Sequence, residues 1–176
     1  MKRFLILCIG AVAVAALSVI LLVNMPVQIV YNGSASAPVG FYRISDEPVP
    51  VGDRALVRLP EQMQKLVSER RYLPPDLPLI KRVAARSGDE LCRKNQDIFI
   101  NDHLVARALK VDSEGRDMPV WSGCLSLKED EVFLLQDHPR SFDGRYFGPV
   151  DQSLIIGRAT KVWPRLKTPC RVFGTA

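Results

Sequence analysis

The chain is poor in the residues that most often carry metal, redox or nucleic-acid chemistry. Two histidines and four cysteines occur in 176 residues. His103 and His138 have no ligand-spaced partners and no Cys-x-x-Cys occurs, so a zinc site is excluded, no cofactor is expected, and both histidines read as surface residues. Aromatic residues make up 7% of the chain and are not interleaved with basic ones. Without a basic stripe, a net charge of +5 is too mild to suggest a nucleic-acid partner, though it suits an anionic membrane surface. Internal repeats and low-complexity stretches are also missing. The length fits one sizeable domain and leaves no room for two large ones.

Charge itself is missing from a long stretch. After Lys2 and Arg3 the next charged residue is Arg43, and residues 4–23 are twenty residues dominated by apolar side chains. At about 1.5 Å per residue such a run spans about 30 Å, the hydrocarbon thickness of a bilayer. Basic residues before the run and none soon after it place the N-terminus in the cytoplasm and the rest of the chain outside. The run exceeds the apolar core of a cleaved signal peptide, and Asn24-Met25-Pro26-Val27-Gln28 offers no small-x-small cleavage site. The expected division is a cytoplasmic tip and anchor over 1–23, a linker strand and loop over 24–38, and an external domain over 39–176. Cys8 then lies in the anchor as a small apolar residue. Cys92, Cys124 and Cys170 lie in an oxidising compartment.

Beyond the anchor, short runs separated by turn dipeptides predict strands over 39–44, 54–59, 79–84, 97–100, 103–106, 131–136 and 154–163. Asn101-Asp102 joins two of them as a hairpin. One window, 61–71, has helical spacing of Met63, Leu66, Val67 and Arg70, with Pro60 before it and Pro74-Pro75 after. The expected fold is therefore mainly β, an antiparallel sandwich or barrel-like domain with one covering helix. Residues 109–130 are the most loop-like part. A Cys92–Cys124 bridge would tie that excursion back, closing a loop of about thirty residues and leaving Cys170 spare.

Three runs could carry chemistry. In Asn32-Gly33-Ser34-Ala35-Ser36-Ala37-Pro38, a serine among small residues lets a substrate backbone approach, with Ser34 and Ser36 competing for that role. In Leu79-Ile80-Lys81-Arg82-Val83, alternation puts Lys81 and Arg82 on opposite faces, so one of them faces inward. A desolvated lysine loses its proton more readily and becomes a base; a lysine facing solvent does not. In Ser141-Phe142-Asp143-Gly144-Arg145, Asp143 and Arg145 lie on one side of an extended segment and can pair, and Ser141 offers a hydroxyl to an amine. On an exposed turn that ion pair would be worth less than about 1 kcal/mol.

In this order behind one anchor, the runs resemble the type I signal peptidases, the membrane-bound Ser/Lys proteases. The resemblance rests on a serine shortly before Pro38, on Lys81-Arg82-Val83 followed by Gly88-Asp89, and on Ser141, Asp143, Arg145, Tyr146, Phe147 and Gly148. It continues through Gly157-Arg158-Ala159-Thr160 to Trp163. Pro38-Val39-Gly40-Phe41-Tyr42 and Tyr72-Leu73-Pro74-Pro75 are similar to the conjugative-transfer, TraF-type branch, in which the serine stands two before the proline; this favours Ser36 over Ser34. Two departures, Ala85-Arg86-Ser87 before Gly88-Asp89 and Gly144 for a common serine, fall in positions read as turn or spacer.

The resemblance implies a serine endopeptidase of the bacterial inner membrane with its catalytic domain in the periplasm. Ser36 would be the nucleophile and Lys81 the base. Ser141 would orient the lysine, and Ser34 would join the Ser36 N–H in the oxyanion hole. Asp143 and Arg145 would give structural support. The implied partners are the bilayer, a membrane-tethered precursor such as a pilin, and a conjugation or secretion apparatus. General removal of signal peptides is the alternative activity, and a non-catalytic structural role in such an apparatus is the alternative of another class.

Overall fold

Period-two alternation shapes the strands of the computed structural model, which describes residues 29–74 and 76–163 together with Ile9, Gly10, Val12 and Val14. In β2 (Gly40–Ser45) Tyr42 and Ile44 turn inward while Phe41 and Arg43 turn out. The remaining strands are β1 (Ile29–Asn32), β3 (Arg54–Val57), β4 (Leu79–Arg86), β5 (Glu90–Lys94), β6 (Asp97–Ile100), β7 (His103–Arg107), β8 (Gly123–Ser126), β9 (Glu131–Leu135), β10 (Val150–Asp151) and β11 (Ile155–Trp163). Two helices, α1 (Glu61–Glu69) and the single turn α2 (Gly144–Phe147), complete the described elements with a short 3-10 turn at Gln152–Leu154. The fold is mainly β, and every described strand pairing is antiparallel.

Seven strands form one open sheet in the order β1-β2-β11-β3-β4-β9-β10, and four form a second in the order β7-β6-β5-β8. β4 is interior to the large sheet, with β3 and β9 on either side. One face of the large sheet packs Ala55, Val57, Val83 and Leu134 with Val132 and Val150. The other packs Tyr42, Ile44, Leu56 and Ile80 with Ala37 and Ala159. A third cluster joins the sheets, bringing Ala85, Phe133 and Leu135 against Leu91 and Ile98. A strand covered on both faces tolerates a polar side chain only where partners await it.

The structure corrects several boundaries. The helix expected over 61–71 ends at Glu69, with Arg70 as its C-cap and Arg71 at φ 56°, so a left-handed residue stops it before Pro74. The strand expected over 54–59 ends at Val57, and that expected over 154–163 begins at Ile155. β1 falls within the linker strand expected over 24–38, whereas strands β8 and β10 were not anticipated; β8 reads Gly-Cys-Leu-Ser and lacks an alternating signature. His138 is half-buried, its Nδ1 accepting the Arg140 N–H at 3.2 Å, while His103 is exposed. The anchor expected over 4–23 lies outside the described residues except for four helical positions, as does Cys170. Among the described residues no helix is long and apolar enough to cross a membrane.

Cys92 and Cys124 form a disulfide, standing directly opposite each other on β5 and β8. The bond closes 32 residues of separation around the excursion that follows β7. By the chain-entropy relation a loop of this length stabilises by roughly 3–4 kcal/mol. Replacing both cysteines by serine should lower the unfolding free energy by up to about that amount, measured by equilibrium denaturation. An unchanged denaturation midpoint would show that the bridge constrains nothing.

Candidate active site

The hairpin of β1 and β2 closes with Asn32 opposite Gly40, leaving residues 33–39 as a loop over the end of the sheet. Asn32 ties this loop down. Its Nδ2 donates to the carbonyl oxygens of Ser34 and Ala37, both at 3.0 Å, and lies 3.4 Å from that of Pro38. Its Oδ1 accepts from the Ser34 hydroxyl at 2.8 Å. Buried Tyr42 donates its hydroxyl to the Pro38 carbonyl at 2.7 Å, and buried Ala37 packs in the core beside it. The loop therefore presents Ser34 exposed and Ser36 half-buried, with 2.9 Å between their hydroxyl oxygens.

Lys81 sits in β4, opposite Ala55 of β3, and only 4% of it is exposed. Its Nζ donates to Ser141 Oγ at 2.8 Å. Arg82, pointing the other way, pairs at 3.1 Å with the exposed carboxylate of Asp137. Burial is the largest influence on the Lys81 amine and lowers its pKa. The charge of Asp143 raises it and that of Arg145 lowers it, so the amine is held down to about 8. Among the described residues Lys81 has no carboxylate at ion-pair distance, because Asp143 is committed elsewhere.

That commitment is the knot behind the lysine. Asp143 is fully buried, and Arg145 Nε and Nη2 reach its two carboxylate oxygens at 2.9 Å each. Asp143 also accepts the N–H of Gln136 at 3.0 Å and caps α2 by accepting the Arg145 N–H at 3.1 Å. Arg145 donates onward to the carbonyls of Gln136, His138 and Pro139, and Gln136 Nε2 reaches the Ile80 carbonyl at 2.7 Å, next to Lys81. A guanidinium with five donors is suited to this work, since each buried carbonyl must find a partner. The segment before α2 is therefore not an exposed turn with a weak ion pair; the pair is buried, and Arg145 donates to the His138 carbonyl that also accepts the Ser141 N–H. Gly144 is no neutral spacer either, because a Cβ there would stand 2.6 Å from the Leu134 carbonyl oxygen and from the Phe133 ring.

The excursion after β7 supplies the opposite wall. Asp112 accepts from the Tyr72 hydroxyl, and Arg116 Nε reaches it at 2.7 Å. Burial alone would raise its pKa, but the hydrogen bonds from Tyr72, Arg116 and Glu114 together outweigh that and hold its carboxyl well below the usual range. Arg70 fastens the same excursion through the Asp117 carbonyl at 2.9 Å. Ala108 and Met118 pack on Tyr146, whose ring stacks on Phe142 at 5.6 Å.

Ser34, Ser36, Lys81 and Ser141 line one cleft of ≈ 330 Å³, whose other walls include Leu79, Leu109, Val111 and Met118. Asp143 and Arg145 stand behind it. Cys92 and Cys124 belong to the second sheet and not to the cleft. The sequence reading missed Asn32, Gln136, Tyr72 and Asp112. Tyr72 meets Asp112 across 40 residues and Gln136 meets Ile80 across 56, which local pattern does not carry, whereas the partners of Asn32 lie two to six residues away within a run quoted for its serines. A serine hydroxyl, a desolvated amine and a second hydroxyl on that amine in one apolar cleft can perform base-assisted nucleophilic chemistry without histidine or metal.

A family model described as "Signal peptidase, peptidase S26" matches residues 1–163. The "Plasmid transfer protein TraF" of Escherichia coli is 36% identical over 136 residues, covering 71% of this chain and 77% of that protein. The "Probable conjugal transfer protein TraF" of Sinorhizobium fredii is 34% identical over 143 residues, covering 74% of each. A crystal structure of a signal peptidase I from Enterococcus faecalis superposes at a TM-score of 0.39 with 21% identity, covering 65% of this chain and 98% of that one.

The burial of Lys81 has a stability consequence. The drop from 10.5 to about 8 corresponds to about 3 kcal/mol of penalty on the charged form in the folded state. Between those values the unfolded chain holds the proton and the folded chain does not, so stability rises with pH through that window. Lys81→Met should therefore unfold at a higher temperature than wild type at pH 7, and the gap should narrow as the pH approaches 10. A variant less stable than wild type at pH 7 would mean that the Ser141 contact outweighs the desolvation.

Proposed function

Because this chain belongs to the peptidase S26 signal peptidase family, we propose that it is a membrane-bound serine endopeptidase working with a Ser36/Lys81 dyad. The observation that carries the reading is the desolvated Lys81 amine in a cleft shared with Ser36. Ser36 Oγ attacks the scissile carbonyl as Lys81 Nζ takes its proton. The oxyanion is met by the Ser36 N–H and the Ser34 hydroxyl, donors of a kind whose loss typically lowers the rate about 10²–10³-fold. Lys81 returns the proton to the leaving amine, and the acyl-enzyme is resolved by water, or by a chain terminus if one is positioned to attack. Ser141 keeps the amine aimed, and Asp143 with Arg145 holds Ser141. With its pKa near 8, Lys81 is partly neutral at physiological pH, as a general base requires.

The substrate is read as an extended segment with small side chains on either side of an Ala-x-Ala type site, laid along the cleft. Ser36 follows Val23 by thirteen residues, so an anchor over 4–23 would hold the nucleophile close to the outer leaflet of a bacterial inner membrane, within reach of a tethered precursor. Relatives named for plasmid and conjugal transfer favour a pilin precursor of a conjugation apparatus over general preproteins.

A transfer assay tests this in Escherichia coli carrying a plasmid that lacks its own TraF. The wild-type chain should restore plasmid transfer, and Ser36→Ala and Lys81→Ala, expressed to the same level, should reduce it at least about a hundredfold. Transfer at wild-type frequency from both variants would remove the protease reading and assign the chain a structural part in the apparatus.

A further inference from the structure

The hydroxyls of Ser34 and Ser36 are 2.9 Å apart, and either could be the donor by distance alone. Asn32 decides between them. Its Nδ2 faces carbonyl oxygens of Ser34, Ala37 and Pro38, which only accept, so the amide has one sensible orientation with Oδ1 toward Ser34. The Ser34 backbone N–H at 3.3 Å from Oδ1 agrees with that orientation. An amide oxygen only accepts, so the 2.8 Å contact uses the single proton of the Ser34 hydroxyl. Ser34 Oγ must then accept from Ser36, and protons run from Ser36 to Ser34 to Asn32.

The reaction needs both protons aimed at other acceptors. The Ser36 proton has to pass to Lys81 Nζ, and the Ser34 proton has to reach the oxyanion. Both hydrogens can redirect by turning about their Cβ–Oγ bonds while the oxygen atoms stay where Asn32 holds them. The substrate carbonyl oxygen, gaining negative charge as the reaction proceeds, becomes the stronger acceptor and draws the Ser34 proton from Asn32. Ser36, no longer bound to a hydroxyl that needs its proton, is then free to donate to the amine. No atom is gained or lost in the switch; one hydrogen bond to Asn32 is exchanged for one to the oxyanion.

We propose that Asn32 is a positioning residue that acts through Ser34: its Oδ1 parks the Ser34 hydroxyl beside the nucleophile in the resting site and releases the Ser34 proton to hydrogen-bond the oxyanion in the transition state. The proposal rests on the Ser36/Lys81 reading above. Its effect belongs to kcat, since the oxyanion exists only once attack has begun. Losing the acceptor lets the hydroxyl turn away, so the loss through Ser34 is bounded by the loss on deleting that hydroxyl.

The test is a double-mutant cycle on the full chain in detergent, with an internally quenched peptide containing Ala-x-Ala as the probe. Asn32→Ala should lower kcat about tenfold or more with KM within about twofold, and Ser34→Ala should lower it about 10²–10³-fold. The double variant should be no slower than Ser34→Ala, because Asn32 then has no hydroxyl to hold. A double variant slowed by the product of the two effects would assign Asn32 only to bracing the loop and overturn the proposal, as would an Asn32→Ala variant at wild-type kcat. If Asn32→Ala does not fold, Asn32→Asp keeps an acceptor and removes the amide donors. It should stay within about tenfold of wild type; a fall to the level of Ser34→Ala overturns the proposal. Ser36→Ala run alongside separates the two claims, since cleavage by that variant at the wild-type rate, or none by wild type, defeats the protease reading beneath.

Discussion

A single buried amine organises the site. Lys81 is placed by its register in an interior strand where only 4% of it is exposed, and the ammonium form is penalised there by desolvation. A carboxylate pairing with it directly would restore the proton and, on the proposed reading, abolish its use as a base. The fold supplies a hydroxyl instead. Ser141 steadies the amine at 2.8 Å without adding charge, while the one carboxylate close enough to matter is neutralised by the Arg145 guanidinium.

The rest of the structure serves that arrangement at successive distances. Gln136 and Arg145 satisfy the carbonyls around the lysine's strand and the loop that carries Ser141. Arg93 of β5 donates to the Arg145 carbonyl at 2.6 Å, and Trp121 Nε1 donates to that of Gly144 at 3.0 Å. The second sheet, fastened by its disulfide, thus braces the back of the loop without reaching the cleft. On the other side the Tyr72–Asp112–Arg116 cluster sets the wall that gives the cleft its apolar lining. Breaking the buried Asp143–Arg145 pair by removing one partner would expose a charge to the core, a change of roughly 3–5 kcal/mol in comparable settings.

Much of this was legible in the sequence, and the residues show why the remainder was not. Turn dipeptides and apolar runs found the hairpin of β6 and β7 and most of the large sheet, although clean alternation belongs to β2 and most of β4, while β3 and β9 bury consecutive residues. β8 escaped because Gly123, Cys124 and Ser126 are exposed and only Leu125 is half-buried, which leaves no alternating signature. The helix end was misplaced because a left-handed Arg71 ends it where Pro74 was taken as the stop. At the site, Ser34, Ser36, Lys81 and Ser141 could be named from their local runs. Asn32 was in view only as the start of a motif, and its three carbonyl partners exist only once the loop closes. Asp143 and Arg145 were read on an extended segment, whereas Asp143 caps a helical turn and the pair is buried. Spacing identified the partners, and only tertiary packing revealed how much rests on them.

The arrangement stands or falls on Lys81 being a desolvated amine whose proton is easily removed in the folded protein. Titrating the side-chain resonances of labelled lysine in the full chain, with Lys81→Met to assign the signal, measures this directly. The expected apparent pKa is about 8, well below the ordinary value of 10.5. A Lys81 resonance that titrates at the ordinary value of a lysine side chain, about 10.4, would contradict it.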